Sequence, residues 1–177
     1  MGQYQSCSFT GHRPHKFPWK HNENDERCVA LKSTLAEQIV TLTDAEVTDF
    51  YSGGADGVDC WAALIVLELK KTNPALKLHM ILPHEGQADK WSDSAQERYH
   101  SILDQADSIE YVSHEYYDGC MLDRNHRLVE CAGSLLTVYN GERHGGTAAT
   151  IQYARKLGKR IIILNPATLE AVEDQAV

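Results

Sequence analysis

No window of the 177-residue chain approaches the roughly eighteen consecutive apolar residues of a membrane helix, and the opening MGQYQSCSF carries neither a basic nor an apolar leader pattern. These two absences predict a cytoplasmic protein with no membrane partner. Basic excess is lacking too: 17 Lys and Arg face 25 Asp and Glu, a formal net charge of -8. That balance counts against a chain whose main task is gripping a nucleic-acid backbone. The five cysteines (Cys7, Cys28, Cys60, Cys120, Cys131) are far apart with no CxxC pair. They spell neither a disulfide framework nor a zinc knuckle, and read as reduced core residues. The tightest histidine cluster, His12, His15 and His21, lacks a carboxylate or thiolate at ligand spacing and is interrupted by Pro14, so no metal site is expected. GxxxxGK[ST], GxGxxG and GxSxG are all missing, which removes the P-loop, the dinucleotide fingerprint and the serine-hydrolase elbow. Gly2 with Ser6 fits the loose myristoylation pattern, but Gly2 runs within two residues into an expected strand, and no lipid anchor is expected.

What is present is an ordinary globular mixture, 42% hydrophobic and 24% charged, sized for one domain. Strand-like runs fall at Tyr4 to Thr10, Val47 to Ser52, Leu76 to Leu82, Ser108 to Val112, Leu135 to Tyr139 and Arg160 to Leu164. Between them lie helical stripes. Cys28, Leu31, Leu35, Ile39 and Leu42 make one; Val58, Trp61, Ala62, Ile65 and Leu69 a second; Trp91, Ala95, Tyr99, Ile102 and Ala106 a third. Weaker patterns run from Cys120 to Cys131 and from Thr147 to Leu157. Six strands alternating with five helices predict a single doubly wound, mostly parallel α/β sheet of Rossmann type, with helices on both faces, over residues 1–166. Residues 167–177 are expected as an acidic tail that frays or adds one helix.

In such sheets ligands bind beyond the carboxyl ends of the strands, where strand order reverses. The unusual residues collect there: Gly11, His12 and Arg13 after the first strand; Ser52, Gly53, Gly54, Asp56 and Asp59 in SGGADGVD after the second; Arg143, Gly145, Gly146 and Thr147 after the fifth. Glycine lets a chain turn sharply and lets a ligand approach bare backbone, and the helix start that follows offers unpaired N–H groups to an anion. Two such turns aimed at one crevice suit a ligand with a phosphate and a sugar. SGGADGVD has a second reading, a tight turn in which Asp56 caps the helix and Asp59 sits in its first turn. Arg13, fixed by Pro14 behind it, is the arginine best placed for a phosphate, whereas Arg127 reads as a solvated helix face. Tyr51, Trp19 and Trp91 are available to stack on a base.

FTGHRP at Phe9 to Pro14, SGGADGVD at Ser52 to Asp59 and GERHGGT at Gly141 to Thr147 occur in an order that resembles the SLOG superfamily, which unites DprA with the Lonely Guy enzymes. The likeness is greatest to its YpsA/YoqJ-like branch of bacterial and phage proteins. It implies a small nucleotide-like ligand, such as ADP-ribose, NAD or a nucleoside monophosphate, and homo-oligomerisation. Lonely Guy enzymes cleave nucleotide N-glycosidic bonds with an arginine in an M-x-x-R-K helix and a glutamate just after PGGxGT. Met121-Leu122-Asp123-Arg124-Asn125 is similar and puts Arg124 at the catalytic position if the chain is an enzyme, yet Thr147-Ala148-Ala149-Thr150 carries no acid at the glutamate's place. Since that cleavage needs a carboxylate, binding by a sensor or effector is the first expectation and hydrolysis the second, with Asp56, Asp59, Asp123 and Glu142 as possible substitutes. A DprA-like grip on single-stranded DNA ranks third, because the acidic charge opposes it.

Overall fold

The structure is a computed structural model that describes residues 5–174. Tyr4, expected to open the first strand, and Gly2 of the acylation pattern lie outside the described residues.

Strand β1 (Ser6–Gly11) leads through a long loop with one 3-10 turn (Pro14–Lys16) into helix α1 (Glu26–Asp44). There follow β2 (Asp49–Ser52), α2 (Val58–Lys70), β3 (Lys77–Leu82), α3 (Asp93–Gln105), β4 (Ser108–Tyr111) and α4 (Cys120–Cys131). The chain ends with β5 (Ser134–Val138), α5 (Gly146–Lys156), β6 (Arg160–Leu164) and β7 (Ala171–Asp174). One sheet holds every strand in the order β4-β3-β2-β1-β5-β6-β7. The first six are parallel and β7 runs antiparallel to β6. The expected mostly parallel Rossmann-like α/β sheet is therefore present.

Burial explains the layers. The α1 stripe of Cys28, Leu31, Leu35, Ile39 and Leu42 is wholly buried, and Asp25 caps this helix by accepting from the Arg27 amide at 2.9 Å. The central strands are buried on both sides, as parallel strands covered on two faces must be; all five residues of β5 are buried, Ser134 and Thr137 included, and Phe9 of β1 stacks on Phe50 of β2 at 5.7 Å. Helices α1, α2 and α3 pack in succession, and α4 packs on α5. With right-handed crossovers, the first three cover one face and the last two the other.

At the C-terminus the expectation is corrected. Instead of fraying or forming a helix, Ala171–Asp174 adds the seventh strand. The acids that make the segment look like a solvated tail are its anchors: Glu173 accepts from Arg160 at 2.7 Å and Asp174 from Arg155 at 2.6 Å. The turn before it is built by the Asn165 side chain, which accepts from the Ala167 and Thr168 amides.

The topology fixes where a ligand site belongs. From β1 the chain steps outward to β4, then returns through α4 to β5 on the other side of β1. Strand order reverses between β1 and β5, leaving a crevice beyond their carboxyl ends.

Candidate functional site

A cavity of about 290 Å³ occupies that crevice. The end of β1 supplies Gly11, His12 and Arg13, the turn after β2 supplies Ala55 and the first turn of α2 Asp59, α4 supplies Met121, Arg124 and Asn125, and the start of α5 supplies Gly145, Gly146 and Thr147. Three loops that are far apart in the chain thus meet at one place.

The start of α5 is open. Gly145 sits at φ +105°, a conformation that an L side chain rarely adopts, and it turns the chain so that the helix begins at Gly146 with no side chain capping its first amides. Gly145 and Gly146 are exposed, while Thr147 is buried against the cavity. Unpaired N–H groups and the positive end of the helix dipole therefore face the crevice.

The first glycine pair behaves differently, and here the expectation of bare backbone open to a ligand is overturned. The Gly53 carbonyl accepts from Arg124 Nη1 and, at 3.2 Å, from Gln87 Nε2. A β-carbon on Gly53 would lie 2.6 Å from Arg124 Nη1, so the missing side chain makes room for an arginine of the protein itself. Ser52 bolts the same turn, donating to the Asp59 carbonyl at 2.9 Å and accepting from the Gly54 amide. Asp56 is not the helix cap; Gly57 holds that position, packed against the His12 carbonyl, and Asp56 instead takes Arg98 at 2.7 Å on the α3 side. Ser52, Gly53, Gly54, Asp56 and Arg143 do not line the cavity, whereas Gly11, His12, Arg13, Asp59, Arg124, Gly145, Gly146 and Thr147 do.

Arg124 and Asp59 carry the buried charge of the site. Arg124 is 3% exposed and spends Nη1 on Gly53 and Gln87 and Nε on Asn125 at 2.8 Å, while Nη2 has no hydrogen bond to any described residue. Asp59, 6% exposed, accepts the Ala55 amide on Oδ2 at 3.3 Å, and its Oδ1 has no partner among the described residues. Burial raises the Asp59 carboxyl above its ordinary range, against the opposing pull of the nearby Arg124 and Arg13 charges. Burial likewise lowers the Arg124 guanidinium, against the pull of Asp59. Arg13 is exposed and reaches only the Met121 sulfur at 3.9 Å, so it meets no carboxylate among the described residues. Loop geometry explains its placement: Pro14 opens the 3-10 turn and Lys16 N–H returns to the Arg13 carbonyl at 3.0 Å.

His12 is buried, its Nε2 3.0 Å from Asn140 Oδ1, and desolvation lowers it from its ordinary value of 6.5. Asn140 also accepts the Glu142 amide at 3.0 Å, and Glu142 pairs with Lys16 at 3.0 Å. His144 lies within GERHGGT and Asn125 beside Arg124 in the Met121–Asn125 segment, though no feature of the sequence singles either out, and the lining residues His15 and Lys16 and the Arg124 partner Gln87 belong to no motif. Only the unusual length of the β1 and β3 loops hints at Lys16 and Gln87. Among the aromatic candidates, Tyr51 stacks on His79 and Trp91 meets Tyr99 edge-on, both away from the cavity, and Trp19 stacks on Phe17 beside it. Arg127 pairs with Glu110 on the exposed α4 face. No group of three or more His, Cys, Asp or Glu among the described residues is arranged to hold a metal ion, and no described helix is long and apolar enough to cross a membrane.

Sequence comparison agrees with this geometry. Residues 7–168 match the profile described as the YspA SLOG family, a span that includes all three loops. A UPF0398 protein of Halalkalibacterium halodurans is 29% identical, the match covering 95% of this chain and 93% of the relative. One from Shouchella clausii is 32% identical over 93% of this chain and 89% of its own length, and one from Brevibacillus brevis 30% over 87% and 85%. With its three glycine-bearing loops gathered at the strand-order reversal and the profile covering nearly its whole length, the chain belongs to the YspA SLOG family.

Proposed function

We propose that the protein binds a small nucleotide or nucleotide-derived ligand at the β1–β5 crevice, with its phosphate at the start of α5. The observation that carries this reading is the uncapped α5 N-terminus opening into the same cavity as Arg13 and the Arg124 Nη2, neither of which meets a carboxylate among the described residues. Backbone amides at a helix start favour an anion, and guanidinium groups match phosphate oxygens. Asp59 Oδ1, an acceptor at the cavity wall, suits a ribose hydroxyl. A bound ligand stabilises the folded state, by about 2.7 kcal/mol at a hundred times its dissociation constant. AMP, NAD or ADP-ribose at millimolar concentration is therefore expected to raise the melting temperature, and Arg13→Ala to diminish the rise while leaving the ligand-free melting point in place. A panel of nucleotides that shifts nothing contradicts the reading.

One observation favours hydrolysis as a second reading. Asp59 supplies the buried carboxylate in the same cavity as Arg124 that the segment after Gly146 lacks. An ionised Asp59 would stabilise positive charge developing on the ribose as a base departs, and Arg124 the phosphate end. Free base accumulating from a nucleoside monophosphate, and abolished in Asp59→Asn, is the expected sign; its absence leaves binding alone.

A further inference from the structure

A second cavity, of about 530 Å³, lies on the α1 side of the β1 loop. Its walls include Phe17, Pro18, Trp19, Ala30, Pro166 and Leu169. It shares two lining residues, His12 and Lys16, with the crevice described above, and its Asn140 holds His12 and the Glu142 amide, so a thin polar partition separates the two spaces. We propose that this apolar cavity is the subsite for the aromatic base of the same nucleotide whose phosphate lies at α5, a proposal that rests on the binding reading above.

Size, character and contiguity carry it. Cavities that enclose a whole small ligand run from roughly 300 to 1,000 Å³, and the polar crevice sits at the bottom of that range, room for a phosphorylated sugar rather than a complete nucleotide. The larger space has what the crevice lacks, an aromatic and proline-rich wall. Trp19 and Phe17 stack on each other at 4.7 Å and are held by Trp61 behind, so the wall is rigid before any ligand arrives. Of its charged lining, Arg27 is paired with Asp25 and lies over the Trp19 ring and Lys16 is paired with Glu142, leaving the exposed Glu26 at the rim as the one lining carboxylate, without an ion pair among the described residues. Because Phe17 is already stacked by Trp19 and Trp61 and Trp19 by Phe17 and Arg27, an uncharged ring here would pack on this buried cluster together with Pro18, Pro166 and Leu169 rather than stack on an open aromatic face. On the far side Leu169 is held at φ +62°, a conformation unfavourable for leucine, where it closes the cavity through the Asn165 turn.

The partition is cheap to open. Lys16 and Glu142 are 42% and 39% exposed, and an ion pair so open to water contributes little. A nucleotide that crosses between the cavities would replace Glu142 by its own phosphate as the Lys16 partner. Lys16, which lines both cavities together with His12, then serves both subsites.

Isothermal titration with the four common nucleoside monophosphates and with ribose 5-phosphate tests this, using the wild type and two filling variants, Ala30→Phe on α1 and Ala167→Trp on the exposed rim. At least one nucleotide is expected to bind the wild type tenfold or more tightly than ribose 5-phosphate. Filling should abolish that preference and leave ribose 5-phosphate binding unchanged. Equal affinity of nucleotides and ribose 5-phosphate for the wild type, or a base preference that survives in both folded variants, overturns the base subsite while the phosphate site stands. If no probe binds the wild type, the phosphate site falls and the base subsite with it.

Discussion

At Gly53 a β-carbon would lie 2.6 Å from Arg124 Nη1 and 2.8 Å from its guanidinium carbon, and Arg124 has little room to retreat because Gln87 also holds that Nη1 and Asn125 holds Nε. Gly53→Ala is therefore expected to push Arg124 off the Gly53 carbonyl and to lower unfolding free energy by about 1 to 3 kcal/mol, the range for overpacking and for a buried polar group losing its partner. A urea midpoint unchanged from wild type contradicts the role given to Arg124. The residue scale is also where the sequence is hardest to read. SGGADGVD advertises bare backbone, and nothing within those eight letters says that an arginine seventy-one positions later will fill it. Asp56 and Asp59 both read as helix-start acids, yet Asp56 lies in the turn before the Gly57 cap and reaches Arg98, while Asp59 in the first turn of α2 faces the crevice.

Among the elements, α5 is the one whose start the ligand is expected to use. A β-carbon on Gly146 finds only Asn125 Nδ2, at an ordinary 3.7 Å, so valine fits the backbone but projects over the first amides and into the cavity. Gly146→Val is expected to leave thermal stability within about 0.5 kcal/mol, the usual span for substitutions away from packed sites, and to reduce nucleotide affinity tenfold or more. Unaltered affinity in a titration of this variant contradicts the placement of the phosphate. Elements with a strong period were legible from the chain: the α1 stripe is buried residue for residue, and the six parallel strands fall within a few residues of their apolar runs. Strand β7 was hidden because its pairing rests on ion pairs to Arg155 and Arg160 rather than on buried alternation; Val172, its largest apolar residue, is 63% exposed. A stripe announces burial, whereas an edge strand held by charge reads like a tail.

For the whole molecule, the order β4-β3-β2-β1-β5-β6-β7 is what turns three distant loops into one site. The motifs name the loops, but only the crossing of α4 from β4 back to β5 brings Arg124 over the end of β2 and beside Asp59. That convergence was legible in outline from the alternation of strands and helices. The division of labour was not: the glycine turn after β2 is filled from within, while the one before α5 stays open. The charge distribution follows the same plan, since Arg13 and Arg124 face the crevice in a chain of net charge -8. Attraction for an anion is thus local and set by placement rather than by total charge.

The most direct measurement is an amide NMR titration of the wild-type protein with a nucleoside monophosphate. The Gly146 and Thr147 N–H resonances should move furthest, together with those of the Gly11–Arg13 turn, and the Gly53 and Gly54 amides should follow only weakly. Saturation of binding with the Gly146 and Thr147 resonances unmoved would contradict a phosphate seated at the start of α5.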